Sequence, residues 1–355
     1  MYGPITTSRK PSMQATGVTP HDLGLGDAVR KEPYADGALK LLETITLATD
    51  AMCVQFNRDA SILAVGLANG TIQIYSADDY RHLYSLSDSD VQKSRLPATT
   101  LRFSQTENTL TATYASGLIK FWHITNGQTL HTINEGEKRQ TLASAFNNDA
   151  SSFISAGSDS KIVQYDGKTK QVKNVLQATD SRDVMNGHRM RIFALQYHPD
   201  DPHVFVSGGW DDTVHFWDDR TTHSVRKLYG PHICGDALDI DPIHNHILSG
   251  SWRKNNVLQI WDFNSGDKIR DIPQDTLVGT QVYCCQWLAR DYIICGGSDM
   301  NTARVIDRGT LNTVGQMVEL PQAVYCLDND KQLKHPRIAI GCAQKVYILK
   351  CERKN

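Results

Sequence analysis

Several features are scarce in this chain of 355 residues, and each absence removes a class of function. No stretch approaches the roughly 18 consecutive apolar residues that a membrane-crossing helix needs. The opening segment MYGPITTSRKPSMQATGVTP has no apolar run of the kind an export signal carries. An intracellular protein is therefore expected, with cytoplasm, nucleus and cytoskeleton all left open. An excess of one charge is missing as well. The 37 Lys and Arg residues stand against 39 Asp and Glu, so no strong field draws the chain to nucleic acid or to a membrane surface. Eight cysteines are present, but none forms a C-x-x-C pair. Cys284, Cys285 and Cys295 sit in the strand-like runs QVYCCQW and DYIICGG, which suits small reduced core residues better than disulfides or zinc ligands. There is no Walker loop, H-E-x-x-H helix or activated-cysteine motif. GLGDAV at 24–29 lacks the third glycine of a dinucleotide loop, and His244 and His246 stand in a turn with no matching thiol or carboxylate. No cofactor, no metal and no enzyme activity are expected.

What the chain does have is repetition. Residues 1–37 are rich in Pro, Gly, Ser and Thr and read as a flexible tail. From residue 38 to 355, short alternating strands and polar turns recur. CVQFNRDASILAVGLANGTIQIYS at 53–76 aligns with ASAFNNDASSFISAGSDSKIVQYD at 143–166. In each, an aromatic closes one strand, an Asp-containing turn follows, then an apolar strand, a Gly-containing or Ser-containing turn, and a third strand ending in Tyr. The third-strand anchors are Tyr75, Trp122, Tyr165, Trp217, Trp261, Ile306 and Leu349, spaced 43 to 52 residues apart. That is the period of a four-stranded propeller blade with loop insertions. Period-two alternation and β-branched and aromatic content exclude a helical solenoid. The expected fold is all-β, a seven-bladed β-propeller. Its last copy holds only three strands before the chain ends, so LKLLETITL at 39–47 is expected to supply the fourth and close the ring.

With GH at 187–188 and WD at 217–218 and 261–262, residues 38–355 resemble the WD-repeat propeller family. Blade four, residues 187–230, matches its pattern best. The resemblance implies a hydrogen-bond relay from the indole of Trp217 to Ser207, on to His188 and then to Asp211. The same Ser, His and Asp could be read as nucleophile, base and orienter. The local text FVSGGW has no G-x-S-x-G turn, however, and the packing role accounts for every member. Blade three keeps Ser155 and Asp159 but has Tyr165 in place of Trp, so blade four is expected to anchor the ring.

In such a ring the loops joining strands d–a and b–c share one face. They carry Trp210 and Trp252 at like positions, with Arg182, Arg189, Arg191, Arg253 and Lys254 around them. Trp beside Arg is the composition of an interface hot spot, and Arg suits an acidic or phosphorylated segment. The expected function is a non-enzymatic protein-interaction scaffold, a subunit of a larger complex. FVSGGWDDTVHFWDDR at 205–220 also resembles the W-D-x-R box of substrate receptors of cullin-RING ubiquitin ligases. That resemblance implies that Asp218 and Arg220 contact the ligase adaptor on the opposite face. A propeller hydrolase and an RNA-binding propeller are the remaining alternatives, disfavoured by the absent catalytic motifs and the near-neutral charge.

Overall fold

The computed structural model describes residues 32–104, 108–181, 183–274 and 279–352. They form seven antiparallel sheets. The first strand of each sheet packs on the first strand of the next, and Val324–Asn329 of the seventh packs on Ala51–Phe56 of the first, which closes the ring. The molecule is a seven-bladed β-propeller. Blade one spans 51–86, blade two 98–134, blade three 141–176, blade four 192–229, blade five 238–271, blade six 281–318 and blade seven 324–351, with strands a to d running from the channel outward.

The burial of each strand follows its place in the blade. Strand b of blade three, Ser152–Gly157, is buried at every position because neighbouring blades cover both faces. Such strands read as apolar runs. Strand d of blade one, His82–Leu86, is largely exposed and reads as polar. The inner a strands carry a bulge at their second residue in blades one, two, three, four and seven, and at the third in blade six. A bulge breaks the alternation and re-aims one side chain. The repeated text FN-x-DAS makes the same a–b turn twice. Asn57 and Asn147 accept the N–H of Ile62 and Ser152, while Ala60 and Ala150 take φ near 57° and 56°.

The N-terminal segment does more than close the ring. Leu39–Thr46 pairs with Lys345–Cys351 as strand d of blade seven. Tyr34–Gly37, placed by the sequence reading within the tail, instead forms a fifth strand on blade six, paired with Thr313–Val318. The tail boundary therefore moves back to about residue 33, and residues 1–31 lie outside the described residues. Gly37 is the pivot between the two blades. Its φ is 68°, and a Cβ there would lie 2.3 Å from the Val314 carbonyl oxygen. The short helix Ser89–Ser94 fills the link from blade one to blade two. Asp88 caps it by accepting the Val91 N–H at 3.1 Å, and also binds the buried Lys120 ammonium at 2.6 Å.

Candidate functional site

The Ser, His and Asp of blade four meet at a buried node. Trp217 Nε1 donates to Ser207 Oγ at 2.7 Å, and Ser207 Oγ lies 2.7 Å from His188 Nε2. His188 Nδ1 lies 2.9 Å from both oxygens of Asp211. Burial alone would raise the Asp211 carboxyl, but the bond and charge of His188, the Arg189 N–H and the Thr213 hydroxyl hold it at about 2. The carboxylate is thus ionised at neutral pH, which fixes the proton order. His188 Nδ1–H donates to Asp211, so Nε2 is a lone pair that accepts from Ser207. The serine hydroxyl is fully buried and spent on both sides. It is shut off from solvent, and both of its hydrogen-bonding directions are taken within the blade.

His188, Asp211 and the neighbouring His215 also bring ligand-type atoms within 4.8 Å of one another. Both His188 nitrogens are already engaged, and His215 Nδ1 lies 2.8 Å from Ser224 Oγ, while His215 Nε2 is buried without a hydrogen-bond partner. A cation that drew on His188 would have to break the relay to bind.

Blade three solves the same position differently, a solution the sequence reading missed. Tyr165 Oη and Ser155 Oγ both donate to Glu135 Oε1, at 2.6 and 2.5 Å. Glu135 Oε2 pairs with Arg139 Nε at 3.1 Å, and Arg139 continues to Asp159 at 2.8 Å. Burial and the Glu135 charge push the Tyr165 phenol up, so it remains a donor. The signal was a glutamate and an arginine, four residues apart, in the link before strand a.

On the loop face, Trp210 and Trp252 are 37% and 41% exposed. Phe193 lies against Trp210, with ring centroids 5.4 Å apart, and Arg191 covers the same indole at 5.5 Å. Trp252 lies 6.2 Å from Tyr283, which lies 5.1 Å from Tyr325. Phe193, Tyr283 and Tyr325 are the bulged residues near the start of their a strands. The bulge lifts them beside the tryptophans, and strict alternation hid this in the sequence. The arginines are less free than the sequence suggests. Arg253 pairs with Asp212 at 2.6 Å, Arg189 donates to the Ser181 and Val184 carbonyls, and Arg191 donates to Gln140. Lys254 is exposed, and Arg182 lies outside the described residues. Nearby Cys234 is half-buried, and burial pushes its thiol up to about 11, so it stays protonated. The opposite face carries Asp218 and Arg220 in the c–d turn of blade four, joined by two bonds of 2.8 and 2.6 Å, with the Arg220 side chain 64% exposed.

The channel holds one residue per blade at a common level: Gln55, Arg102, Ala145, Gln196, Asp239, Gln286 and Asp328. Three of them clasp the next blade. Gln55, Asp239 and Asp328 accept the backbone N–H of Phe103, Trp287 and Phe56 at 2.9, 2.9 and 2.7 Å. Burial pushes both carboxyls up. Arg102 reaches from blade two to Asp236 before blade five at 3.0 Å, bracing the channel above a cavity of about 370 Å³.

Comparison with known proteins gives one consistent architecture. A family model described as the Vps8 beta-propeller matches residues 48–205. The WD repeat-containing protein slp1 of Schizosaccharomyces pombe is 23% identical over 253 residues, 68% of this chain and 47% of slp1. Pre-mRNA-processing factor 17 of Saccharomyces cerevisiae is 25% identical over 294 residues, 78% of this chain and 59% of that protein. The GATOR2 complex protein WDR24 of Homo sapiens is 24% identical over 149 residues, 39% of this chain and 18% of its own length. The chain spans about half the length of the first two relatives.

Proposed function

We propose that this chain is a WD-repeat β-propeller acting as a non-enzymatic scaffold inside the cell, holding protein partners at fixed positions within a complex. The observation that carries this reading is the aromatic arc on the loop face. Phe193 with Trp210, and Trp252 with Tyr283 and Tyr325, form a half-exposed platform on the rigid inner strands. Large aromatics held in place lose little entropy on binding and are the usual centres of interface energy. Three of the surrounding arginines are braced within the chain, so the platform offers aromatic faces first and charge second. An acidic or phosphorylated segment would be read at its rim, by Lys254 and the outer edges of Arg191 and Arg253. Similarity to a protein named for the GATOR2 complex supports a role among protein partners. Among the described residues no helix is long and apolar enough to cross a membrane.

The test is affinity purification with quantitative mass spectrometry, comparing the native chain with a Trp252→Ala/Arg253→Glu variant. A defined set of partners lost from the variant, at an unchanged melting temperature, is the expected result. An unchanged partner set would remove this face as the binding surface. The W-D-x-R turn supports a second reading. Arg220 is exposed and pre-oriented by Asp218, as an adaptor contact requires. Co-purification of a cullin-RING adaptor that is lost on Arg220→Ala would establish it.

A further inference from the structure

A second surface lies on the face opposite the aromatic arc, where strand d of blade five meets the turns of blade six. Strand d, Lys268–Asp271, is exposed at all four positions. Each other outer strand among the described residues has at least one partly covered position. An uncovered edge strand presents free N–H and C=O groups that a partner segment can pair with. Beside it runs a groove of about 530 Å³ with Arg270, Arg290, Arg308, His244 and His246 on its walls. Ile269 is 40% exposed within it, and Ile260 of strand c forms part of its lining.

The charges in the groove differ in how far they are committed. Arg308 is fixed by Asp241, by the lone pair of His246 Nδ1 at 2.9 Å, and by the Trp287 ring 4.3 Å away. His244 Nδ1 lies 2.8 Å from Asp241. The side chains of Arg270 and Arg290 make no hydrogen bond or ion pair among the described residues. The groove also holds two carboxylates. Asp307 accepts the Gly309 and Thr310 amides of its own turn at 3.0 and 2.7 Å, which holds it below its ordinary value. Asp291 is the other acid. Two uncommitted guanidinium groups thus flank an exposed aliphatic side chain along an open strand edge. The HNH turn, whose His244 is held by Asp241 and whose His246 is held by Arg308, becomes one wall of this groove.

We propose that this groove docks an acidic peptide segment of a partner protein, one that alternates carboxylates with leucine or isoleucine and lies along strand d of blade five. Arg270 and Arg290 take the carboxylates, Ile269 seats the aliphatic residue, and the strand edge supplies backbone hydrogen bonds. RNA fits less well, because the groove lining carries no tyrosine, phenylalanine or tryptophan for base stacking. The site is separate from the aromatic arc and does not depend on it. A scaffold that engages both would hold two partners on opposite faces.

Fluorescence anisotropy tests this with a fluorescein-labelled twelve-residue peptide of alternating Glu and Leu, against the same peptide with Lys for Glu. Saturable binding of the acidic peptide is expected, weakened by added salt. It should fall at least about tenfold in Arg270→Glu/Arg290→Glu, fall by a smaller factor in Ile269→Ala, and hold in Trp252→Ala/Arg253→Glu. These residues are exposed, and circular dichroism with melting curves checks that each variant is folded. The proposal is overturned if the acidic peptide does not bind, if the lysine peptide binds equally well, if the double reversal changes nothing, or if oligouridylate binds more tightly than the peptide.

Discussion

Blades three and four occupy the same frame and fill it with different chemistry. Both place a serine on strand b, Ser155 and Ser207, and an aspartate in the b–c turn, Asp159 and Asp211. Blade four joins them through a single imidazole. Blade three uses a carboxylate and a guanidinium whose side chains are only 3% and 7% exposed. The frame therefore requires a connection, and no particular residue. What differs is the penalty for breaking it. A relay through an imidazole, once cut, leaves one or two unpaired polar atoms. A buried ion pair, once cut, leaves an uncompensated charge, which is far costlier in low dielectric. The blade with the fuller family signature is not the one with the most at stake.

The largest test of that contrast is Glu135→Ala. It removes the more deeply buried of the two carboxylates that hold Arg139, leaving Asp159 alone to pair it, and it takes the acceptor from the Tyr165, Ser155 and Thr141 hydroxyls. A loss of about 3–5 kcal/mol is expected from breaking one half of a buried pair, read as a drop in the urea midpoint at constant slope. His188→Ala should cost less, about 1–3 kcal/mol, because Asp211 keeps the Arg189 N–H and the Thr213 hydroxyl. If His188→Ala were the costlier of the two, the comparison would be inverted.

The two serines sharpen it further. In blade four Ser207 carries the hydrogen-bonded link between Trp217 and His188 among the described residues, so Ser207→Ala leaves an indole N–H and an imidazole nitrogen unpaired. In blade three Tyr165 bonds Glu135 directly and bypasses Ser155. Ser207→Ala should cost about 1–3 kcal/mol and Ser155→Ala less than about 1, measured side by side by denaturant unfolding. Equal losses would mean that the relay in blade four is no tighter than its counterpart.

The ring was legible in the sequence because its repeat is long and its anchors are large. Seven aromatic or aliphatic residues at a near-constant spacing define seven sheets, and the missing fourth strand of the last copy points to residues 39–47. The additional strand Tyr34–Gly37 was hidden because four residues with an exposed pattern carry no periodicity. The relay residues of blade four could be named from family positions. Glu135 and Arg139 could not, since their role depends on a loop folding back under the blade. Phe193, Tyr283 and Tyr325 were obscured for a geometric reason: alternation assigns a face to every strand residue, and a bulge reverses one of them. The sequence showed the rim arginines as free charge, but their partners, such as Asp212 for Arg253, come from other turns.

The smallest expected effect at neutral pH separates the blades most cleanly in acid. His215 lies two residues before the Trp217 anchor and packs edge-on against His188, with ring centroids 4.5 Å apart. Burial, with the His188 charge second, lowers it from 6.5 to about 3. In the folded protein it stays neutral where the unfolded chain takes up a proton, so its contribution is intact above pH 6.5 and is lost as pH falls from 6.5 toward 3. Asp211, depressed from 3.8 to about 2, adds a second loss only as pH falls below 3.8. Blades one and five carry Gln73 and Gln259 at the position of His215, so glutamine is a residue the frame accepts. His215→Gln should shift stability at pH 7.5 by less than about 1 kcal/mol, since a polar partner for Ser224 is kept. It should also flatten the decline between pH 6.5 and 4 that the native chain shows in urea midpoints. Blade three has Val163 at this position and so no imidazole there to titrate. An identical pH profile for His215→Gln and the native chain would mean that acid sensitivity in this range does not arise in blade four.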